Sequence, residues 1–184
     1  MLAMTADGGK LPPYVIFKRK TIPKDDVPTG IHIRAQVKGW MDAEMVRDWV
    51  RTVWNKRPGA LLRKPSLLVW DSFRGHLGDD TKRFLTEMKT DMAVIPGGLT
   101  SVLQPLDVSV NKPFKDNMRK LCSKWKTLGG HSLTPTGKFR RPSVGVMCAW
   151  IVEVWKMVTP DIIVKSFLKT GIANALDGSE DDAL

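Results

Sequence analysis

The chain has 184 residues and a mass of 20.6 kDa, enough for one domain with a core of its own. Hydrophobic residues make up 42% and charged residues 26%, which excludes wholesale disorder and collagen-like architecture. Lys and Arg total 29 against 19 Asp and Glu, giving +10 and a pI near 9.8, and no apolar run approaches the roughly 18–20 residues of a membrane span.

The charge is unevenly spread. The stretch 177–184 holds Asp177, Glu180, Asp181 and Asp182 and no base, so the rest sets 29 bases against 15 acids, about +14. A basic body of this kind attracts polyanions, nucleic acid first. The start has neither a basic leader nor a long apolar stretch, so no secretory signal is expected. Two cysteines, Cys122 and Cys148, make no disulfide framework, and a reducing, intracellular setting is expected.

In chain order, Met1 to Ala6 is apolar, Asp7-Gly8-Gly9 is a turn signal, and Tyr14-Val15-Ile16-Phe17 is rich in strand formers. Pro12 and Pro13 cannot donate to a ladder, so the second strand is expected to begin at Tyr14. The basic triplet Lys18-Arg19-Lys20 ends it, and Ile22 to Gly30 is a Pro-rich loop. Ile31 to Val37 alternates apolar with polar, as a half-buried strand does. Asp42 then reads as an N-cap, with Met45, Val46, Trp49, Val50, Val53 and Trp54 recurring at helical spacing until Pro58-Gly59.

Leu67 to Trp70 reads as a short central strand, Thr81 to Lys89 as a helix, and Met92 to Ile95 as another strand closed by Pro96-Gly97-Gly98. Strands alternating with helices predict an α/β domain with a mixed sheet. Val108 to Leu128 is helical and basic, with Lys112, Lys115, Arg119, Lys120, Lys124 and Lys126. Residues 129–141 read as a loop, and residues 142–176 as C-terminal helices, of which the last begins at Thr159-Pro160 and ends at Gly171. The acidic tail, 177–184, is expected to fray. Trp49, Trp54, Trp150 and Trp155 lie on apolar stripes and are expected in the core, while Trp125 on the basic helix is open. Cys122, His131 and Cys148 lack the paired spacing of a zinc site.

Two carboxylates stand where chemistry would place them. Asp71 follows the apolar run Leu67 to Trp70, and ligands of open α/β sheets bind at the carboxyl ends of strands. As a plain structural residue it would be a turn former or cap for the next segment. Asp107 by itself reads as an N-cap or first-turn acid on the basic helix, where the macrodipole favours negative charge. The two have 35 residues between them, and two carboxylates on neighbouring elements can share divalent ions. His76, beside Gly75, reads by itself as structural.

The stretches MLAMTADGGKLPPYVIFKRKT, LLVWDSFRGHL and IPGGLTSVLQPLDVSVNKPFK resemble the catalytic region of the pogo branch of the Tc1/mariner transposases. That branch includes the Tigger elements and domesticated relatives such as jerky, centromere protein B and pogo-derived zinc-finger and KRAB proteins. The resemblance runs from Met1 to about Lys126 and more loosely through the C-terminal helices. It implies a ribonuclease H-like α/β fold over residues 1–128, with the C-terminal helices in the same domain. It also implies metal-dependent cleavage and strand transfer of DNA, using three acids and two ions of Mg²⁺ or Mn²⁺. The second acid falls on Asp71 and the third on Asp107, both as catalytic residues and metal ligands, with His76 as possible support.

The resemblance carries one departure. The family's first acid lies on a first strand that would precede Met1, so the sheet is expected to lack that strand and the site its third ligand. Asp7 reads as a turn residue, and Asp25 and Asp26 lie in a Pro-rich loop. The family's helix-turn-helix modules are not in this sequence either. The chain is therefore expected to be inactive alone and marginally folded, either an excerpt of a transposase-derived protein or a non-catalytic nuclear module. DNA is the expected partner, through Lys18, Arg19, Lys20, Lys112, Lys115, Arg119 and Lys120, with a second copy of the chain as another. The nucleus is the expected compartment.

Overall fold

The computed structural model describes residues 1–22, 24–62, 64–73, 78–129 and 132–174. Its elements are β1 (Tyr14–Lys18), β2 (His32–Gln36), α1 (Ala43–Thr52), β3 (Ser66–Asp71), α2 (Asp79–Glu87), β4 (Thr90–Ile95), α3 (Thr100–Leu103), α4 (Asn111–Thr127), α5 (Val144–Met157) and α6 (Pro160–Lys169). A π-helical segment, Leu106–Val110, leads directly into α4. The architecture is α/β, as the alternation of periods predicts. The expected single sheet is instead two parallel pairs, β1 with β2 and β3 with β4. Antiparallel pairing occurs as the isolated bridges Met4–Lys10 and Leu133–Phe139. Pairing partners are a non-local property, and alternation within a strand does not specify them.

The chain opens as a hairpin. Thr5 and Gly9 close the turn (N to O, 2.9 Å), and Leu11 N donates to Ala3 O at 3.0 Å. Pro12 and Pro13 then interrupt the ladder, and β1 starts at Tyr14 as expected. Asp7 is consumed by this turn, accepting from Thr5 Oγ1 at 2.5 Å and from Gly9 N at 3.1 Å. The Thr5 hydroxyl, then the Gly9 amide, hold its carboxyl below the ordinary carboxylate value.

The first core lies beneath α1. Asp42 Oδ1 accepts from Met45 N at 3.0 Å, the expected N-cap, and a cap of this kind stabilises a helix by about 1 kcal/mol. Val46, Trp49 and Val50 face inward and meet Leu11, Tyr14, Leu68, Trp70 and Leu85. The indoles of Trp54 and Trp70 stand 6.1 and 6.4 Å from that of Trp49. Trp54 Nε1 donates to Thr90 Oγ1 at 3.1 Å, which fixes the end of α1 to the start of β4.

A second core gathers Val110, Trp155, Val158 and Ile163, with Leu2, Met4, Leu106, Phe114 and Phe167 packed around them. Ser143 and Thr159 cap α5 and α6 by accepting from Val146 N and Ile162 N. The opening hairpin docks on this layer. Trp155 Nε1 donates to Leu11 O at 2.9 Å, and Lys10 Nζ reaches three carbonyls at the C-terminal end of α5, those of Trp155, Lys156 and Val158. Gly8, with φ +91°, lies so close to Pro160 that an added Cβ would stand 3.0 Å from the proline Cβ. Trp49, Trp54 and Trp155 are buried as expected, while Trp150 is half-buried and meets Trp125 edge to face at 6.1 Å.

Candidate active site

Asp71 is the last residue of β3, paired in register with Ile95 of β4. Leu68 and Trp70 turn into the core and anchor the strand, leaving Asp71 half-buried at its carboxyl end. Its Oδ1 accepts from Phe73 N at 3.3 Å, so the carboxylate also shapes the turn after the strand. The structural role weighed for it is therefore present, and the same residue lines the mouth of a cavity.

Asp107 is exposed and lies in the π-helical segment rather than in a plain first α-turn. Its Oδ1 accepts from Asn111 Nδ2 at 2.5 Å, one turn on. Asn111 N donates back to Leu106 O, the wide turn that defines the segment. Single π-helical turns of this kind gather at functional positions because they re-aim one side chain. Leu106 and Val110 on the same segment are packed into the second core, so the backbone that carries Asp107 is held from behind.

A cavity of about 150 Å³ is lined by Asp71 and by Leu106, the residue before Asp107. Met1 to Met4, Leu68 to Asp71, and Gln104, Pro105 and Leu106 line it. Asp107 follows Leu106 in the chain and does not itself line the cavity. Trp49 and Trp54 also line it, and Trp49 Nε1 is buried without a hydrogen-bond partner among the described residues. β4 is the single strand neighbour of β3 among the described residues. A shallower cavity of about 360 Å³ adjoins at Met1 and Asp71 and is otherwise lined by Gly39, Trp40, Met41 and Phe73.

The other expected residues are distributed around this centre. Lys18, Arg19 and Lys20 are exposed at the end of β1, and Lys112, Lys115, Arg119 and Lys120 are exposed along α4. Arg119 shares its charge with Asp116 at 2.6 Å. Asp25 Oδ2 accepts from Gly145 N at 3.2 Å, which ties its loop to the start of α5. His76 and His131 lie outside the described residues, as does the acidic stretch 177–184.

Mg²⁺ takes one or two carboxylates and keeps waters and phosphate oxygens for the rest; Asp71 lines the cavity, and Asp107 is exposed one residue beyond Leu106, which also lines it. A cluster of three or more ligating side chains does not occur among the described residues. Sequence reasoning missed Trp40, which lies off every apolar stripe and is 65% exposed beside Asp71. Its only signal is an indole set between a strand-ending lysine and an N-cap.

A model of the DDE superfamily endonucleases matches residues 1–167. The chain is 41% identical over its 184 residues to the human (Homo sapiens) "Pogo transposable element with KRAB domain", and 41% identical over 181 residues to the mouse (Mus musculus) protein so named. A human "Pogo transposable element with ZNF domain" is 29% identical over 181 residues, or 97% of this chain and 12% of that protein. The chain spans about 30% of the length of the KRAB-domain relatives. No solved structure is a significant match. The chain belongs to the DDE superfamily of endonucleases and is a relative of the pogo transposable elements.

Proposed function

We propose that this is the metal- and DNA-binding part of a transposase-derived endonuclease. Asp71 and Asp107 would hold a Mg²⁺ or Mn²⁺ ion between them, with His76 as possible support. The observation that carries this reading is the cavity lined by Asp71 and by Leu106, the residue before Asp107. A bound ion there supplies positive charge to phosphate oxygens and lowers the pKa of a coordinated water. The protein's own part is positional: β3 fixes Asp71, and the π-helical segment with Asn111 orients Asp107.

The third acid would come from a strand outside these 184 residues, seated between Met1–Met4 and β3. The apolar walls, the vacant side of β3 and the orphaned indole N–H of Trp49 support that seat. Residues 1–128 and the C-terminal helices would then form one ribonuclease H-like domain. Lys18, Arg19 and Lys20 and the α4 bases Lys112, Lys115, Arg119 and Lys120 would bind the DNA backbone, in the nucleus. A homodimer would be the working form.

Thermal denaturation with and without Mn²⁺ tests the reading, because a ligand of the native state stabilises it by about 2.7 kcal/mol at a hundredfold excess over Kd. Mn²⁺ is expected to raise the Tm of the wild-type chain and to leave Asp71→Asn and Asp107→Asn unmoved. No shift in the wild type overturns the metal site. The chain alone is expected to cut no DNA, since two carboxylates do not make a two-metal centre. Mn²⁺-dependent cleavage abolished by Asp71→Asn would remove the need for a third acid from outside. The basic face of α4 also supports a non-catalytic, DNA-binding module, the reading that stands if metal binding fails and DNA binding persists.

A further inference from the structure

We propose that Trp40 is a stacking platform for an unpaired nucleobase, placed beside Asp71 so that a frayed or single-stranded end of nucleic acid is gripped there. The inference rests on the DNA-binding reading above and names the form of DNA that the site prefers.

Trp40 differs from the other indoles. Trp49, Trp54, Trp70 and Trp155 are each no more than 5% exposed, whereas Trp40 is 65% exposed. It is not held out by accident of a loose loop. Gly39 N donates to Gln36 O at 2.9 Å, and Trp40 N donates to Gln36 Oε1 at 3.3 Å. Gln36 Nε2 in turn donates to Asp42, the cap of α1. The corner between β2 and α1 is thus pinned on both sides of the indole.

Its surroundings suit a nucleotide. Trp40 shares its cavity with Asp71, Met41 and Phe73, which puts an aromatic and thioether floor next to the candidate metal ligand. Gly39, at φ +71°, lies against Lys18, where an added Cβ would come within 2.9 Å of the lysine Cβ. Arg19 N donates to Gln36 O at 3.2 Å, so the Lys18-Arg19-Lys20 triplet leaves β1 at this same corner. Lys38, the residue before Gly39, is exposed as well. Bases that track phosphates, interleaved with an exposed ring, form the arrangement by which proteins hold single strands without reading sequence. In a duplex the base faces are already stacked, so the platform has nothing to take up.

The test is binding of fluorescein-labelled DNA by the full 184-residue chain, in EDTA so that no metal contributes. Three probes are compared: a single strand, the same strand with abasic sites, and the duplex. Trp40→Ala is expected to weaken single-strand binding about five- to hundredfold, to leave abasic and duplex binding unchanged, and to be largely rescued by Trp40→Phe. The proposal is overturned if Trp40→Ala leaves single-strand affinity unchanged, or weakens all three probes alike. It is also overturned if the wild type binds the abasic strand as well as the intact one, or binds none of the three. A failed metal site therefore shows in the Mn²⁺ denaturation experiment and a failed platform shows here.

Discussion

Lys10 and Trp155, 145 residues apart, are joined by a hydrogen bond of 2.9 Å from the lysine Nζ to the tryptophan carbonyl. The same ammonium reaches Lys156 O at 3.2 Å and Val158 O at 2.6 Å, and stands 5.8 Å from the Trp155 ring centroid. A cation at the carbonyl end of a helix offsets the macrodipole and supplies a donor to its last carbonyls, of which Trp155 O also accepts from Val158 N at 3.3 Å. Lys10→Met is expected to cost about 2 kcal/mol. Thermal denaturation should show a fall of about 4–8 °C for a chain of this size. A Tm within error of wild type would mean that water replaces the lysine at no cost.

Gly8 is buried against Pro160 with φ +91°. Gly8→Ala adds both a strained backbone and a close approach, and is expected to cost about 1–3 kcal/mol. Urea denaturation checks this. An unchanged midpoint would show that the hairpin can slide off α6 freely.

Asp48 on α1 receives Tyr14 Oη at 2.6 Å and Arg34 Nε at 2.7 Å. Burial by itself would raise this carboxyl, yet the hydrogen bonds from Arg34 and Tyr14 and the Arg34 charge hold it below the ordinary value. A depressed carboxyl contributes stability above its unfolded pKa of about 3.9 and loses it as pH falls through the lower folded value. Burial, with the hydrogen bond and charge of Asp48, pushes the Tyr14 phenol up. There the native state keeps a proton that the unfolded chain releases above about pH 10, so stability falls as pH rises from that point. Asp48→Asn is expected to cost about 1–2 kcal/mol at neutral pH and to flatten the acid limb of a Tm-against-pH curve. Tyr14→Phe should flatten the alkaline limb. Parallel curves for wild type and variants would refute the assignment.

The α4 bases make a prediction about salt. Each phosphate that a variant no longer neutralises should make the slope of log K against log salt shallower by about 0.9 on duplex DNA. Replacing Lys112, Lys115, Arg119 and Lys120 with Gln is expected to reduce affinity and flatten that slope. A slope equal to wild type would identify this face as solvated surface.

Local features of the fold were legible because local chemistry specifies them. Pro12-Pro13 sets the start of β1, Asp42 caps α1, and the spacing of Val46, Trp49 and Val50 gives its inward face. What depends on distant partners was not. The run Leu67 to Trp70 reads as a central strand, yet Leu67 is 56% exposed and β4 is the single strand neighbour of β3 among the described residues. The basic pattern from Val108 to Leu128 gives no sign that its first turn is π-helical, since that depends on an Asp107–Asn111 hydrogen bond and on packing of Leu106 and Val110. At the site, Asp71 was visible from its place after a strand. Trp40 was not, because periodicity finds side chains that face a core and this one does not.

The docking of the opening hairpin on α5 and α6 sets an order of events during synthesis. Leu106 and Val110, which flank Asp107, find their packing partners in Trp155, Val158 and Ile163. Those residues leave the ribosome after both Asp71 and Asp107 have emerged, and interactions of such long sequence separation form late and slowly. A nascent chain stopped short of Val144 would carry both carboxylates and the whole of α4, yet nothing to press the π-helical turn into place. The site is thus withheld until the last helix arrives.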